Sequence, residues 1–535
     1  MVLIGFSFIH LLLPASVAHA FSHHDTPFLR GRNVVGKRQI PDPPSELKTI
    51  TTCSGATVRF TAPGEKGICE TTPGVHSFSG FIDTSATSHS FFWFIESRND
   101  PENDPITMWI NGGPGSDSLV GLFGGFGPCN VINGTTEINP HSWNNVSNML
   151  FLSQPVGVGF SYADIQPGYI DEVTGEIVPT DETDATGAWP VPAEPPEVDT
   201  SESAAVAAWK AVQAFYEALP DLDSRIKSKK FHLWTQSWGG RYGPAFFRHF
   251  YEQNEKIAMG AATGIPLELG TLGIGNGYID PILQAESLPA FAVNNTYGIA
   301  AYNATVHSYA QLAVDMPRGC RAQALACRKQ QQAAARSPVR DAICARAWAM
   351  CYDSVQDLVR VFSDRDRFDL RERPGSYAGL MLPVVAFLNR ADVQNALGVA
   401  SNYTPESAPV LRAFDRAGDG VLGDFVADIG FLLNCGLGVT LYHGDADYVC
   451  NWIGGEVVSL AVNYTRADAF RSSTYEPFVV DGNEHGLARQ AGNFSFLRVY
   501  EAGHMVPLNQ PRAALELFSR SIHGLDLATG LVPTG

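Results

Sequence analysis

Basic residues are scarce in this chain of 535 residues: 37 Lys and Arg stand against 55 Asp and Glu, a formal net charge of −18. That shortage excludes a nucleic-acid partner, because gripping a polyanion needs a concentrated basic face. Long apolar runs are missing beyond the N-terminus, so no later segment has the length to span a bilayer. No G-K-[ST] follows a glycine-rich run, which removes the phosphate-cradling loop of nucleotide-binding proteins. Internal repeats are absent as well. What remains, 45% hydrophobic and 17% charged, is a globular chain able to bury a large core.

The N-terminal "MVLIGFSFIHLLLPASVAHA" is apolar and closes on the small-x-small pattern Ala18-His19-Ala20. Residues 1–20 are therefore expected to be a secretory signal, although no Lys or Arg precedes the apolar run and a buried helix is the alternative. Residues 21–45 form a leader in which Lys37-Arg38 is a candidate processing site. Seven N-x-Ser/Thr sequons, at Asn133, Asn145, Asn294, Asn303, Asn402, Asn463 and Asn493, fit a secreted glycoprotein with N-linked glycans. Extracellular release is the expected destination, with the vacuole as the alternative.

The nine cysteines, an odd number, are expected to leave one unpaired. Cys320, Cys327, Cys344 and Cys351 form a symmetric block that suits a helical hairpin with nested bridges, Cys320–Cys351 and Cys327–Cys344, among three possible connectivities. A zinc site fits less well, since the spacings are wide and no His lies inside the block. No metal or cofactor is expected.

Short apolar runs bounded by turn residues read as strands at "FSGFID", "SFFWFIES", "ITMWING" and "NMLFLSQPVGVGFSY". Residues 164–199 are rich in Pro and acid, hold no Lys or Arg, and read as a solvated loop. A helix capped by Thr200 or Ser201, the strand "KFHLWTQ", a turn at Ser237, a helix from about Gly240 and the strand "LGTLGIGNGYIDP" follow. Alternating strands and helices predict an α/β architecture, a mostly parallel sheet covered on both faces. Residues 46–282 form its first part, 283–383 a helical cap insertion, and 384–535 its second part.

"TQSWGGRYGP" puts Ser237 on a strand-to-helix turn, although Thr235 replaces the usual first Gly of G-x-S-x-G. Later strands end at "HGDADYVCN", with Asp447, and at "EAGHMVP", with His504. Serine, acid and histidine in this order meet a chemical need: a hydroxyl becomes a nucleophile when an imidazole takes its proton, and a carboxylate fixes the imidazole. Asp445 is a rival acid that spacing does not eliminate. "WINGGPGSDS" can turn backbone N–H groups toward an oxyanion, and Gly113 N–H with Trp238 N–H are the candidates.

From about Cys69 to Pro511, these blocks together with "SESAAVAAWKAVQAFYEALP", "GIGNGYIDP" and "YEAGHMVPLNQP" resemble the serine carboxypeptidase family, particularly its fungal secreted or vacuolar members. The resemblance implies an α/β-hydrolase fold with a helical cap and removal of C-terminal residues from peptides at acidic pH. It implies Ser237 as nucleophile, His504 as base and Asp447 as orienting acid. It also implies Cys450 as a free thiol near the substrate, and places Trp109, Asn111, Gly112, Gln236 and Met505 among the substrate-binding residues.

The family binds the terminal carboxylate partly through two glutamates; the matching positions here are Gln236 and Gly125. A glutamate accepts a carboxylate neighbour only when protonated, whereas Gln donates an N–H at any pH. A related acyltransferase or esterase is therefore the alternative activity, and a non-catalytic peptide-binding glycoprotein a third. Arg241, where fungal relatives often carry His, reads as a solvated helix residue, with added positive charge near the site as the alternative.

Overall fold

The computed structural model describes residues 40–41, 44, 47–171, 174–181, 183–333 and 335–534. The expected signal and the Lys37-Arg38 pair lie outside the described residues. Twelve strands share one sheet: β1 (Lys48–Thr51), β2 (Thr57–Thr61), β3 (Ser77–Ser85), β4 (Ser88–Ile95), β5 (Ile106–Ile110), β6 (Asn148–Leu152), β7 (Lys230–Gln236), β8 (Glu268–Gly275), β9 (Gly438–Gly444), β10 (Glu476–Val480), β11 (Asn483–Ala491) and β12 (Phe494–Val499). Their spatial order is β1-β2-β3-β4-β6-β5-β7-β8-β9-β12-β11-β10. From β6 to β12 neighbours run parallel. Antiparallel strands extend both edges.

The principal helices are α1 (Ser201–Leu222), α2 (Gly239–Ala258), α3 (Ala304–Asp315), α4 (Cys320–Ala333), α5 (Pro338–Cys351), α6 (Ser376–Leu388), α7 (Ala408–Ala417) and α8 (Pro511–Ile522). Thr200 caps α1: its hydroxyl accepts from Ser203 N–H, and Ser203 Oγ accepts from Thr200 N–H, satisfying two donors that a helix start leaves open.

The central strands are covered on both faces, and β5 and β6 are buried at every position. On one face Ile106, Met108 and Leu233 pack with Phe215 of α1 and Phe246 of α2. On the other, Trp109 and Trp234 join Trp143 and Phe518 of α8, where Phe518 stacks on Trp143 at 4.1 Å. Strand alternation explains why β5 sends Trp109 one way and its neighbours the other.

Two features differ from the sequence reading. Residues 164–199 carry a three-stranded antiparallel sheet, Asp164–Ile170, Ile177–Pro179 and Gly187–Val191. It is held by cross-strand hydrogen bonds and docked by Asn402, whose Oδ1 accepts from Ala188 N–H at 2.8 Å, so it needs no periodic apolar face. Three cysteines are unpaired: Cys53, Cys435 and Cys450. Cys69 pairs with Cys129, while Cys320–Cys351 and Cys327–Cys344 nest across α4 and α5.

Among the sequons, Asn133, Asn294, Asn303 and Asn463 are exposed. Asn402 is 4% exposed and bonded to Ala188 and Asn389, which closes it to a glycan in the folded state. Among the described residues no helix is long and apolar enough to cross a membrane.

Candidate active site

Ser237 joins β7 to α2 with φ of 62°, in the left-handed region that non-glycine residues seldom enter. Its N–H donates to Gly275 O at 3.0 Å, and its carbonyl accepts from Gly240 N–H (2.9 Å) and Tyr278 N–H (2.8 Å). These bonds fasten the turn to the end of β8. The turn is also crowded: a Cβ on Gly112 would lie 2.4 Å from Trp238 N and 2.9 Å from Ser237 Cβ. Thr235 is accommodated because its hydroxyl faces the carbonyls of Gly239 (3.0 Å) and Gly273 (3.2 Å).

His504 Nδ1 lies 2.8 Å from Asp447 Oδ2, and both residues are buried. Asn276, directly after β8, donates its side-chain amide to the same oxygen at 2.8 Å. Phe368 packs its ring 4.9 Å from the imidazole, and its carbonyl accepts the His504 backbone N–H at 2.8 Å. Sequence reasoning missed both residues; the only signal for Asn276 was its place in "GNG" at a strand end. Asp445 faces other partners: it accepts from Tyr297 Oη (2.5 Å), Glu501 N–H (2.9 Å) and Arg498 (3.2 Å).

A cavity of about 130 Å³ opens here, lined by Asn111, Gly113, Gln236, Ser237, Trp238 and His504 among others. Among the described residues neither Gly113 N–H nor Trp238 N–H has an acceptor, so both are available to a ligand oxygen. One wall is aromatic: Trp238 stacks on Tyr278 at 5.6 Å, and Trp348 of α5 meets Trp238 edge-on at 5.4 Å.

Behind that wall Arg241 is fully buried, contrary to the solvated position expected for it. Its guanidinium lies 4.6 Å over Phe425 and 5.4 Å over Trp238, and it donates to the carbonyls of Ile279, Asp419 and Leu422. The turn at residues 419–421 covers this side of α2, and its carbonyls need a donor.

The remaining expected site residues separate into two groups. Asn111, Gln236 and Cys450 line the cavity, and burial pushes the Cys450 thiol well above its ordinary range. Trp109, Gly112 and Met505 sit behind the lining, Trp109 donating through Nε1 to Asn111 Oδ1 at 3.1 Å. Gln236 Nε2 donates to His504 O at 2.6 Å, and its Oε1 has no partner among the described residues. Gly125 has φ of 99°, and a Cβ there would meet Pro507 Cβ at 2.9 Å, so no larger side chain fits in this backbone.

Among the described residues two groups have metal-ligand spacing, their ligand atoms within 4.8 Å of one another: Asp447, Cys450 and His504, and His76, Glu96 and Asp223. In the second, Arg225 already bonds to Glu96 and His76 and supplies the positive charge.

A family model described as serine carboxypeptidase matches residues 63–524. The chain belongs to the serine carboxypeptidase family. Carboxypeptidase S1 homolog B of Arthroderma otae is 38% identical over 539 residues, covering 94% of this chain and 81% of that relative. Carboxypeptidase S1 of Penicillium janthinellum is 34% identical and covers 85% of this chain and 97% of its own length. The crystal structure of Kex1, a prohormone-processing carboxypeptidase from Saccharomyces cerevisiae, superposes with a TM-score of 0.63 at 19% identity, covering 87% of this chain and 95% of that one. That likeness establishes the α/β-hydrolase fold expected from the sequence.

Proposed function

We propose that this serine carboxypeptidase acts through Ser237 as nucleophile, His504 as general base and Asp447 as the carboxylate that orients it. One observation carries the reading: the Asp447–His504 contact, reinforced by Asn276, stands at the cleft that also holds Ser237 and two backbone N–H groups without an acceptor among the described residues.

Ser237 Oγ attacks the carbonyl carbon of the last peptide bond as His504 takes its proton. Gly113 and Trp238 N–H groups receive the oxyanion. Collapse of the tetrahedral intermediate expels the C-terminal amino acid, whose nitrogen takes the proton from His504. Water, deprotonated by the same imidazole, then releases the shortened peptide from the acyl-enzyme. Asp447 orients the imidazole and stabilises the imidazolium. Trp109, Asn111, Gly112, Gln236, Cys450 and Met505 shape the substrate site.

The three disulfides support a route through an oxidising compartment, and we place the mature enzyme outside the cell in an acidic setting. A blocked dipeptide and its C-terminal amide test the activity, with faster hydrolysis of the acid expected. Equal rates, or none on either, refute it. An organophosphonate should label Ser237 and leave Ser237→Ala unlabelled.

A further inference from the structure

The cleft contains an acid that the catalytic steps leave unused. Glu406 belongs to a segment that pairs with the Gly113 loop: Ser116 and Glu406 form a bridge, Ser407 N–H donates to Gly115 O at 2.9 Å, and Asp117 N–H donates to Pro405 O at 2.9 Å. Ser116 also accepts from Asn111 Nδ2 at 3.4 Å. Glu406 is thus anchored, through one residue, to Asn111, and both line the cleft with Gln236, Ser237 and His504. Burial pushes the Glu406 carboxyl up to about 7, against the opposing pull of Arg367.

The groups facing it come from several elements. Arg367 faces Glu406 from the segment before α6, Tyr377 from α6, and Tyr403 from its own strap, while His504 shares the cleft. Arg367 is ion-paired with Asp357 at 3.0 Å and donates to Tyr352 Oη at 3.1 Å, so its charge is already engaged. Asn111 and Gln236 each keep a second amide hydrogen after bonding to Ser116 and His504. A carboxyl that holds its proton and two amide donors together form a receptor for a carboxylate.

We propose that Glu406 is a substrate-binding residue whose protonated carboxyl donates a hydrogen bond to the terminal carboxylate of the peptide. The 405–407 segment then offers a carboxyl group that neither Gln236 nor Gly125 provides. This role rests on the carboxypeptidase reading above. Above about pH 7 substrate binding takes up a proton, because two carboxylates in contact repel.

The experiment compares wild type, Glu406→Gln and Glu406→Ala on a blocked dipeptide and its amide across the pH range. Glu406→Ala should lower the acid-to-amide ratio of kcat/KM about tenfold, mainly through KM, the loss expected for one charge-assisted hydrogen bond. Glu406→Gln keeps a donor and should hold the ratio near wild type while flattening its fall at high pH. A ratio unchanged in both variants overturns the proposal. So does a loss confined to substrates ending in Lys or Arg, which assigns Glu406 to side-chain recognition.

If the alanine variant does not fold, inhibition of wild type by a blocked amino acid and its amide gives the same reading. The acid should weaken about tenfold per pH unit above the Glu406 titration, relative to the amide; a pH-independent ratio refutes the role. Phosphonate labelling run alongside separates the two failures. Absence of label sinks the carboxypeptidase reading, whereas label with an unchanged ratio sinks the role of Glu406 alone.

Discussion

Asn276 and His504 meet at one atom: each bonds to Oδ2 of Asp447 at 2.8 Å. Asn276 holds φ of 42°, and its other bonds explain why the chain tolerates this. Its N–H donates to Tyr442 O at 2.7 Å and its Oδ1 accepts from Gly444 N–H at 3.3 Å, so it joins the ends of β8 and β9 while steadying the acid.

Removing that amide should misplace the carboxylate. Asn276→Ala is expected to lower kcat about tenfold with little change in KM, the effect of one lost hydrogen bond to a charged group. Asn276→Gly relieves the backbone but also lacks the amide, and steady-state kinetics should show the same loss. Recovery in the glycine variant would assign the effect to strain instead.

The two neighbouring aspartates should behave differently. Asp447→Asn is expected to reduce kcat by on the order of 10³–10⁴, as loss of the correct imidazole tautomer does in serine triads. Asp445 ties the acid loop to Tyr297 and Glu501, so Asp445→Asn should lower the melting temperature and cost activity about tenfold at most. Parallel kinetics and thermal melts distinguish them.

Stability should fall as pH rises from acid to neutral. Burial pushes the fully buried Asp117 up to about 6, against the opposing influence of the neighbouring Ser153 and Tyr403 hydroxyls. Between the ordinary carboxyl range and that value the native chain holds a proton that the unfolded chain has released, so stability declines through this window and levels above it. Glu406, pushed by burial to about 7, acts in the same direction. Melting temperature measured against pH should drop accordingly, and Asp117→Asn should flatten the lower part of the curve.

Arg241→Ala should destabilise the protein by about 3–5 kcal/mol, because it strips buried carbonyls of their donor and the aromatic wall of its backing. Arg241→Lys should not restore stability, since an ammonium does not span the carbonyls of Ile279, Asp419 and Leu422 as a planar guanidinium does. Urea unfolding checks both.

The strand ends bearing Ser237, Asp447 and His504 were legible because β7, β9 and β12 are apolar runs cut off by turn residues. Bridge nesting in the α4–α5 hairpin was legible from the symmetry of its cysteine spacing. The choice between Asp445 and Asp447 was not, since residues two apart share a side of an extended segment. Asn276 was hidden because a left-handed backbone at a polar residue leaves no mark on composition. Arg241 was misread because helix periodicity says nothing of a distant turn folding over it. The 164–199 sheet escaped notice because its strands owe their order to one another and to Asn402, more than 200 residues downstream.

Ala335 and Arg336, on the turn between α4 and α5, are exposed, while the two bridges clasp these helices on either side of it. A protease that severs the main chain after Arg336 therefore yields two polypeptides on a reducing gel and a single species on a non-reducing one. Trp348 would remain clipped against Trp238 through the scission, and the catalytic chamber would lose that panel only once a reductant opened the clasps.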